Sequence, residues 1–187
     1  LSVLSYIFNT VKSNNVTIDY PKIVPMLNDL IVADGVDKDY LQKVYAFIDE
    51  WNSSVDHIKV STSGSTGSPK IIELKKERVA ASARSTGRFF VFEKGQTALL
   101  CLSPDYIAGK LMIVRAIEHE MTLLVAPLSS NPLKEMNVRP IDFAAFVPSQ
   151  VESMIADERS RKNFEQIRNI IIGGAPINAK VENELTL

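Results

Sequence analysis

Length, composition and charge narrow the kind of protein this chain can be. It has 187 residues, 45% of them hydrophobic, and a net charge of −1, which is enough apolar material for a substantial core. Because binding to a nucleic-acid backbone needs clustered lysine and arginine, a nucleic acid is not expected as the main partner. The longest apolar stretches are strand-sized and the first residues lack a secretory signal, so we expect neither membrane insertion nor export.

Residues 1–55 predict a helical, amphipathic N-terminal segment. A break at Asp34-Gly35 precedes a set of apolar residues that share one face at helical spacing. That set is Val36, Tyr40, Val44, Phe47, Ile48 and Trp51. We expect Trp51 to be a core anchor, with a platform for an adenine ring as the alternative.

Residues 57–74 predict two strands that flank a polar loop. Residues 57–61 alternate between polar and apolar side chains, and residues 71–74 are rich in strand-forming side chains. A loop between two strands is held at both ends, whereas a flexible Ser/Gly linker, the alternative interpretation, is not.

The remaining chain alternates helices and strands. A helix from residue 75 carries Val79, Ala83 and Phe90 on one stripe. The later segments are predicted strands at 97–102, 122–126, 142–147 and 167–172, and predicted helices at 106–118, at 149–156 with Ser149 as its cap, and from 178. This alternation, with nearly continuous apolar strands, predicts an α/β fold with a largely parallel sheet flanked by helices.

The predicted sheet also places the ligand-binding edge. Ligands of such sheets lie at the carboxyl ends of the strands, which puts residues 104–106, 147–149 and 173–176 on one rim. The one cysteine, Cys101, lies in the apolar run 98–102, and we expect a buried core residue rather than a nucleophile. Since one cysteine forms no internal disulfide, a cytoplasmic location is predicted.

The loop between the first two strands has the chemistry of an anion site. It reads Thr62-Ser63-Gly64-Ser65-Thr66-Gly67-Ser68-Pro69-Lys70. Glycines let backbone N–H groups approach a ligand, successive N–H groups and hydroxyls cradle an anion, and the lysine adds a charge suited to polyphosphate. A Walker A loop is excluded because Ser68 and Pro69 separate Gly67 from Lys70 and a strand follows. The dinucleotide pattern G-x-G-x-x-G is absent as well.

Residues 62–70 resemble the phosphate-loop signature of the adenylate-forming enzymes, (S/T)-S-G-(S/T)-T-G-x-P-K, at every position. This family includes the acyl- and aryl-CoA synthetases. About a hundred residues later, Gly173-Gly174-Ala175-Pro176 and the apolar run before it resemble the strand and loop that pack along the adenine in this family. The resemblance covers roughly residues 56–180.

The resemblance implies an ATP-dependent carboxylate–CoA ligase that uses ATP, Mg²⁺ and coenzyme A. It assigns nucleotide binding to Thr62, Ser63, Gly64, Ser65, Thr66, Gly67, Lys70, Gly173, Gly174, Ala175 and Pro176. Thr66 and Lys70 are the implied catalytic residues, and no metal ligand is assigned within these 187 residues.

Residues 102–110 resemble the family stretch that ends His-x-x-Gly-Leu. Gly109 matches, and Tyr106 stands at the position of the histidine, which implies a place at the mouth of the acyl pocket. The sequence of this stretch is most similar to that of the o-succinylbenzoate–CoA ligases of menaquinone synthesis. The second carboxylate of that acid calls for a cation, for which Lys110 and Arg115 are the candidates. A solvated helix face is the alternative for each.

The expected partners are therefore a small carboxylic acid, ATP and coenzyme A, with a homo-oligomer left open. Another acyl-, aryl- or amino-acid-adenylating enzyme of the family is the first alternative, and a non-catalytic ATP-binding module is the second. Residues 56–187 are predicted to form part of an AMP-binding domain without its C-terminal lid. We accordingly expect the 187 residues alone not to complete adenylation.

Overall fold

The computed structural model describes residues 8–13, 16–21, 29–62, 70–136, 140–177 and 179–185. Within these ranges the strands are β1 (Phe8–Ser13), β2 (Val16–Pro21), β3 (Asp29–Val32), β4 (His57–Thr62), β5 (Lys70–Lys75), β6 (Thr97–Leu100), β7 (Thr122–Val125), β8 (Phe143–Phe146) and β9 (Asn169–Ile172). The helices are α1 (Lys38–Asn52), α2 (Lys76–Phe90), α3 (Ile107–Glu118), α4 (Pro148–Ile155), α5 (Glu158–Glu165) and α6 (Ala179–Leu185). None of the described helices is long and apolar enough to cross a membrane.

Five strands form a parallel sheet in the order β3-β7-β6-β8-β9. Every residue of β7 and β8 is buried, as expected for strands covered on both faces. One apolar core packs α1, α2 and α3 against one face of the sheet, and a second core packs α4, α5 and α6 against the other. The predicted α/β fold with a parallel sheet between helices is confirmed.

The N-terminal segment is not helical throughout, and that part of the prediction for residues 1–55 is wrong. β1 and β2 pair antiparallel as a hairpin, and β3 pairs with β7 at the edge of the main sheet. The two hairpin strands carry five β-branched residues in twelve, a composition that favours extended backbone over helix. The predicted division of the chain at residue 55 stays a prediction.

Helix α1 agrees with the predicted amphipathic pattern. Asp37 caps it, since its Oδ1 accepts hydrogen bonds from the N–H groups of Asp39 at 2.9 Å and Tyr40 at 3.1 Å. The predicted apolar face is buried in the core. Trp51 is only 9% exposed and its ring centroid lies 6.3 Å from that of Phe47. It is therefore a core anchor, and the alternative of an adenine platform is wrong.

Helix α4 begins differently from the prediction. Its N-cap is Val147 and its first residue is Pro148, so the prediction that Ser149 caps it is wrong. Proline has a fixed φ and no N–H group, both of which suit the first position of a helix. Instead, the backbone N–H of Val147 donates to Oε1 of Gln150 at 3.1 Å. The polar side chain that contacts the start of α4 is therefore that of Gln150 in the first turn.

Cys101 lies in the core, as predicted. It is 1% exposed, and its Sγ lies 3.7 Å from the carbonyl oxygen of Ala145. Burial raises the pKa of the thiol to about 12, so the nucleophilic thiolate is suppressed at neutral pH.

Candidate functional site

The loops that follow the parallel strands meet at one edge of the sheet. The N–H of Gly173, just after β9, donates to the carbonyl oxygen of Phe146 at the end of β8, at 3.1 Å. A Cβ added to Gly174 would lie 3.5 Å from Cγ1 of Val147. The loops after β8 and β9 are thus neighbours, as the predicted rim requires.

The hairpin of β4 and β5 reaches the same edge. These strands pair antiparallel with Thr62 opposite Lys70, which confirms that the polar loop lies between two strands. Ser61 forms a parallel bridge with Tyr106, and its N–H donates to the carbonyl oxygen of Asp105 at 3.2 Å. The base of the polar loop is therefore held beside the loop that follows β6.

Two residues of the predicted phosphate loop are described, at its ends. Oγ1 of Thr62 donates to the carbonyl oxygen of Lys70 at 3.1 Å and closes the base of the loop, and Lys70 is exposed there. The predicted phosphate ligands Ser63, Gly64, Ser65, Thr66 and Gly67 lie outside the described residues. Their assignment stays a prediction.

The first turn of α3 explains why position 109 is glycine. A Cβ there would come within 2.2 Å of the carbonyl oxygen of Ser103 and within 2.7 Å of that of Leu102. The chain before the helix crosses directly over Gly109, and only the absence of a side chain permits that approach. Tyr106, the N-cap residue, is 47% exposed at the rim beside Ser61.

Lys110 lies on the side of α3 that faces α1. It is 7% exposed, its Nζ lies 3.2 Å from Oε2 of Glu50, and the same atom is 4.0 Å from the ring centroid of Phe47. The alternative of a solvated helix face is therefore wrong for Lys110. Its ammonium group has a carboxylate partner within the protein, whereas the predicted contact with a substrate carboxylate stays a prediction.

Arg115 is buried further along α3. It is 8% exposed, its Nη1 donates to Sδ of Met112 at 3.6 Å, and its Cζ lies 5.5 Å from the ring centroid of Phe143. Among the described residues, Nε has no hydrogen-bond partner and no carboxylate pairs with the guanidinium. Burial lowers the pKa of Arg115 to about 10. A solvated helix face is thus wrong for this residue too.

The loop at residues 173–176 offers exposed backbone. Gly174 has φ of +88°, a conformation that residues with a side chain rarely adopt. Among the described residues, nothing lies within 4 Å of a Cβ added at Gly173, so none of them covers its backbone on that side. Ala175 and Pro176 are exposed beside it. The geometry leaves room for a flat group against this loop, which is what the predicted role along an adenine needs.

Helix α1 contributes contacts to the rim that the sequence motifs did not reveal. Nζ of Lys43 lies 2.6 Å from Oδ2 of Asp105, and Oγ of Ser103 donates to the same oxygen at 3.0 Å. The hydrogen bond from Lys43 is the main reason that the pKa of Asp105 is lowered. The hydroxyl of Tyr40 donates to the carbonyl oxygen of Leu102 at 3.2 Å. The contacts of Lys43 and Tyr40 join residues about sixty positions apart, and no local pattern marks them.

Comparisons with known proteins agree with this geometry. Residues 60–186 match the family described as AMP-binding enzyme, and this range includes the predicted phosphate loop and the loop at 173–176. The chain belongs to the AMP-binding enzyme family. A comparison with curated protein sequences finds no match.

Solved structures of AMP-binding enzymes share the fold. An acyl-CoA synthetase (AMP-forming)/AMP-acid ligase II-like protein from Dyadobacter fermentans is 33% identical, with a TM-score of 0.74 over 79% of this chain and 42% of that one. O-succinylbenzoate coenzyme A synthetase from Bacillus subtilis, in complex with AMP, is 22% identical, with a TM-score of 0.57 over 68% of this chain and 27% of that one. The N-terminal domain of FACL13 from Mycobacterium tuberculosis is 21% identical, with a TM-score of 0.55 over 70% and 34%.

The chain spans less than half the length of these three AMP-binding enzymes. The two that are less than 25% identical show the fold alone. Among the described residues, no group of three or more histidine, cysteine, aspartate or glutamate side chains could hold a metal ion.

Proposed function

We propose that this chain is the ATP-binding part of a carboxylate–CoA ligase. One observation carries the proposal: in a member of the AMP-binding family, the strands that flank the nine-residue signature pair at Thr62 and Lys70, and Ser61 lies beside Tyr106 at the carboxyl edge of the sheet. That edge is where parallel α/β sheets bind their ligands.

The proposed reaction has two steps. An oxygen of the substrate carboxylate attacks the α-phosphorus of ATP, the bond to the β-phosphate oxygen breaks, and pyrophosphate leaves the acyl-adenylate. The thiol of coenzyme A, losing its proton, then attacks the acyl carbon, and AMP leaves with the electron pair of the broken C–O bond. A carboxylate is already a nucleophile, so the first step needs positioning and charge stabilisation rather than a general base.

In this proposal the hydroxyls and N–H groups of Ser63, Gly64, Ser65, Thr66 and Gly67 bind the β- and γ-phosphates. Thr66 and Lys70 stabilise the charge that moves onto pyrophosphate as the bond breaks. Thr62 supports the loop through its hydrogen bond to the Lys70 carbonyl. Mg²⁺ is proposed as the companion of the ATP phosphates, and no residue of this chain is assigned to it.

The adenine is proposed to lie along Gly173, Gly174, Ala175 and Pro176. The open space beside Gly173 and the exposure of the following residues support this placement. A substituent at Gly173 would occupy the space that the ring needs, although no described residue lies within 4 Å of an added Cβ there.

For the acid we favour o-succinylbenzoate, because residues 102–110 resemble the matching stretch of its ligases. Arg115 stays a candidate for the second carboxylate, although it lies in the last turn of α3 and packs on Phe143 at the start of β8, away from the edge that carries Tyr106. A buried guanidinium whose Nε lacks a hydrogen-bond partner among the described residues is costly unless something else satisfies it. A second carboxylate on the substrate would do so with charge-assisted hydrogen bonds. Lys110 is the weaker candidate, because Glu50 already holds its ammonium group.

Two alternatives remain distinct from this choice. Another acid of the same family would leave the ATP chemistry unchanged, and a panel of carboxylic acids separates the two. A non-catalytic ATP-binding module would bind ATP without exchanging pyrophosphate. A cytoplasmic location and a homo-oligomer are further predictions that stand outside this test.

Calorimetry of ATP binding to the 187-residue chain tests the nucleotide site. Lys70→Ala is expected to weaken binding about tenfold or more, since a charge-assisted hydrogen bond contributes roughly 1.5–3 kcal/mol. The matched control is Lys94→Ala, because Lys94 is also exposed and pairs with Glu120 on the surface at 2.5 Å. Wild-type chain that binds no ATP, or equal affinity for Lys70→Ala and wild type, would contradict the proposed site.

A further inference from the structure

The carboxylate of Glu50 joins three elements that converge near the rim. Its Oε1 accepts a hydrogen bond from the backbone N–H of Lys59 in β4 at 3.1 Å. Its Oε2 accepts one from Nζ of Lys110 in α3 at 3.2 Å. Glu50 itself lies in the last turn of α1. One side chain therefore ties together α1, the strand before the phosphate loop and the helix after Tyr106.

The ion pair in this junction is largely shielded from water. The side chain of Lys110 is 8% exposed and that of Glu50 is 32% exposed. Phe47 covers the ammonium group, with 4.0 Å between Nζ and the ring centroid. Removing the carboxylate partner of a buried cation is strongly unfavourable, so this pair is expected to matter more than an exposed surface pair.

The hydrogen bond to Lys59 acts on the free edge of β4. Lys59 and Ser61 lie two positions apart, so their N–H groups point to the same side of the strand. One donates to Glu50 and the other to the carbonyl oxygen of Asp105. Both are bonds to partners outside the hairpin, and they hold the strand just before Thr62, where the phosphate loop begins.

We propose that Glu50 is a positioning residue that sets the distance between Thr62, where the predicted phosphate loop begins, and the proposed acid site at Tyr106 and Gly109. This inference rests on the proposed function. Glu50 holds β4 through Lys59 and holds α3 through Lys110, so the strand that carries one site and the helix that carries the other share one anchor.

The chemistry makes such an anchor consequential. The attacking carboxylate oxygen and the α-phosphorus must approach to roughly 3–3.5 Å, and a misplacement of about 1 Å can cost on the order of a hundredfold in rate. Loss of the anchor is therefore expected to lower the rate of the bound complex, while each substrate still finds its own contacts.

The test compares Glu50→Ala, Glu50→Gln and the matched control Glu118→Ala in the protein that the complete gene encodes. Glu118 also links two helices, through an ion pair with Arg84 at 2.6 Å, and it lies at the other end of α3. Pyrophosphate exchange is measured over a range of ATP and acid concentrations up to saturation, which gives kcat per active site and the KM for each substrate. Glu50→Ala is expected to lower kcat at least tenfold with both KM values within threefold of wild type.

The conservative variant separates positioning from folding. Glu50→Gln keeps an oxygen that can accept the Lys59 N–H, so it is expected to recover much of the lost kcat, and Glu118→Ala is expected to retain it. If Glu50→Ala does not fold, Glu50→Gln is compared with wild type and with Glu118→Ala. Its kcat is then expected to be at least twofold lower than that of both. Equal losses in the Glu50 and Glu118 variants, or wild-type kcat in the Glu50 variants, would overturn the inference.

Amide hydrogen exchange of the 187-residue chain provides an independent readout. The N–H groups of Lys59 and Ser61 are expected to exchange at least tenfold faster in the Glu50→Ala chain than in wild type, and unchanged in Glu118→Ala. Unchanged protection at both positions would overturn the proposed anchor. If the wild-type enzyme exchanges no pyrophosphate, the proposed function fails and the positioning role fails with it. If the wild type is active and Glu50→Ala has the same kcat, the inference about Glu50 is refuted and the proposed function stands.

Discussion

Replacing Arg115 with methionine is expected to stabilise the chain. The guanidinium is buried without a carboxylate partner among the described residues, so folding has to remove its hydration without full compensation. Methionine keeps most of the unbranched apolar stem and has no charge to desolvate.

The magnitude follows from the pKa of Arg115, which burial lowers from 12.5 to about 10. At about 1.4 kcal/mol per pH unit, this difference corresponds to a cost of about 3 kcal/mol for keeping the charged form in the folded state. The contact with the Phe143 ring at 5.5 Å offsets about 0.5–1 kcal/mol of that cost. We therefore expect Arg115→Met to raise the free energy of unfolding by about 2 kcal/mol, or Tm by about 4–8 °C.

The pH dependence has a definite sign. Below pH 10 the arginine is protonated in both the folded and the unfolded chain, so the stability difference between variant and wild type is constant from pH 6 to 9. Above pH 10 the folded state releases its proton before the unfolded state does, and the wild type regains stability relative to the variant.

Urea unfolding of the 187-residue chain measures the effect, with Arg84→Met as the control. Arg84 forms an exposed ion pair with Glu118, so its replacement is expected to change stability by less than about 1 kcal/mol. In the protein from the complete gene, the KM for o-succinylbenzoate tests Arg115 as the cation for the second carboxylate: a KM that Arg115→Met raises at least tenfold, with KM for a monocarboxylic acid unchanged, would support that role, and an unchanged KM would remove it. A variant that is less stable than wild type by 1 kcal/mol or more, on the order of a typical destabilising mutation, would refute the reasoning.

Four further substitutions test local packing and backbone conformation by the same unfolding measurement. Gly109→Ala is expected to destabilise by about 3 kcal/mol or more, because its Cβ would lie 2.2 Å from the Ser103 carbonyl oxygen, and a loss below about 1 kcal/mol would contradict that crossing. Val91→Gly is expected to stabilise by about 1 kcal/mol, since Val91 holds φ of +54° at an exposed helix end, and a destabilised variant would show that its side chain matters more than this strain. Gln150→Ala is expected to lower the free energy of unfolding by about 2–4 kcal/mol, because Gln150 is 6% exposed and accepts a hydrogen bond from the N–H of Val147. Ser149→Ala should change it little. A larger loss for Ser149→Ala than for Gln150→Ala would restore Ser149 as the cap.

The sheet was predictable because its strands are covered on both faces. A continuous apolar run such as the one around Leu99 is stable only in a strand that is buried on both faces. The helical spacing of Val44, Phe47 and Ile48 likewise puts all three on one buried face of a helix. Periodicity reports burial directly in such segments. The N-terminal hairpin was missed because its strands are short and polar residues interrupt them, so no sustained period contradicted the helical interpretation.

The residues of the candidate site likewise fall into those that a local motif reveals and those that it does not. Gly109 and Thr62 were found because a motif places them, and the structure adds the physical reasons for those residue types. Glu50 and Lys43 were missed, since each meets its partner across about sixty residues and neither has a local signature. Lys110 was named from the motif alone, since sequence shows a cation without showing that Glu50 lies opposite it, and its predicted contact with a substrate carboxylate stays a prediction.

Pyrophosphate exchange tests the central claim most directly. The protein from the complete gene is given ATP, Mg²⁺, labelled pyrophosphate and each acid of a panel that includes o-succinylbenzoate. The account predicts that label enters ATP with o-succinylbenzoate and not without acid. Exchange with a different acid would contradict the proposed substrate while it retains the adenylating activity. No exchange with any carboxylic acid, in a protein that binds ATP, would contradict the proposed ligase.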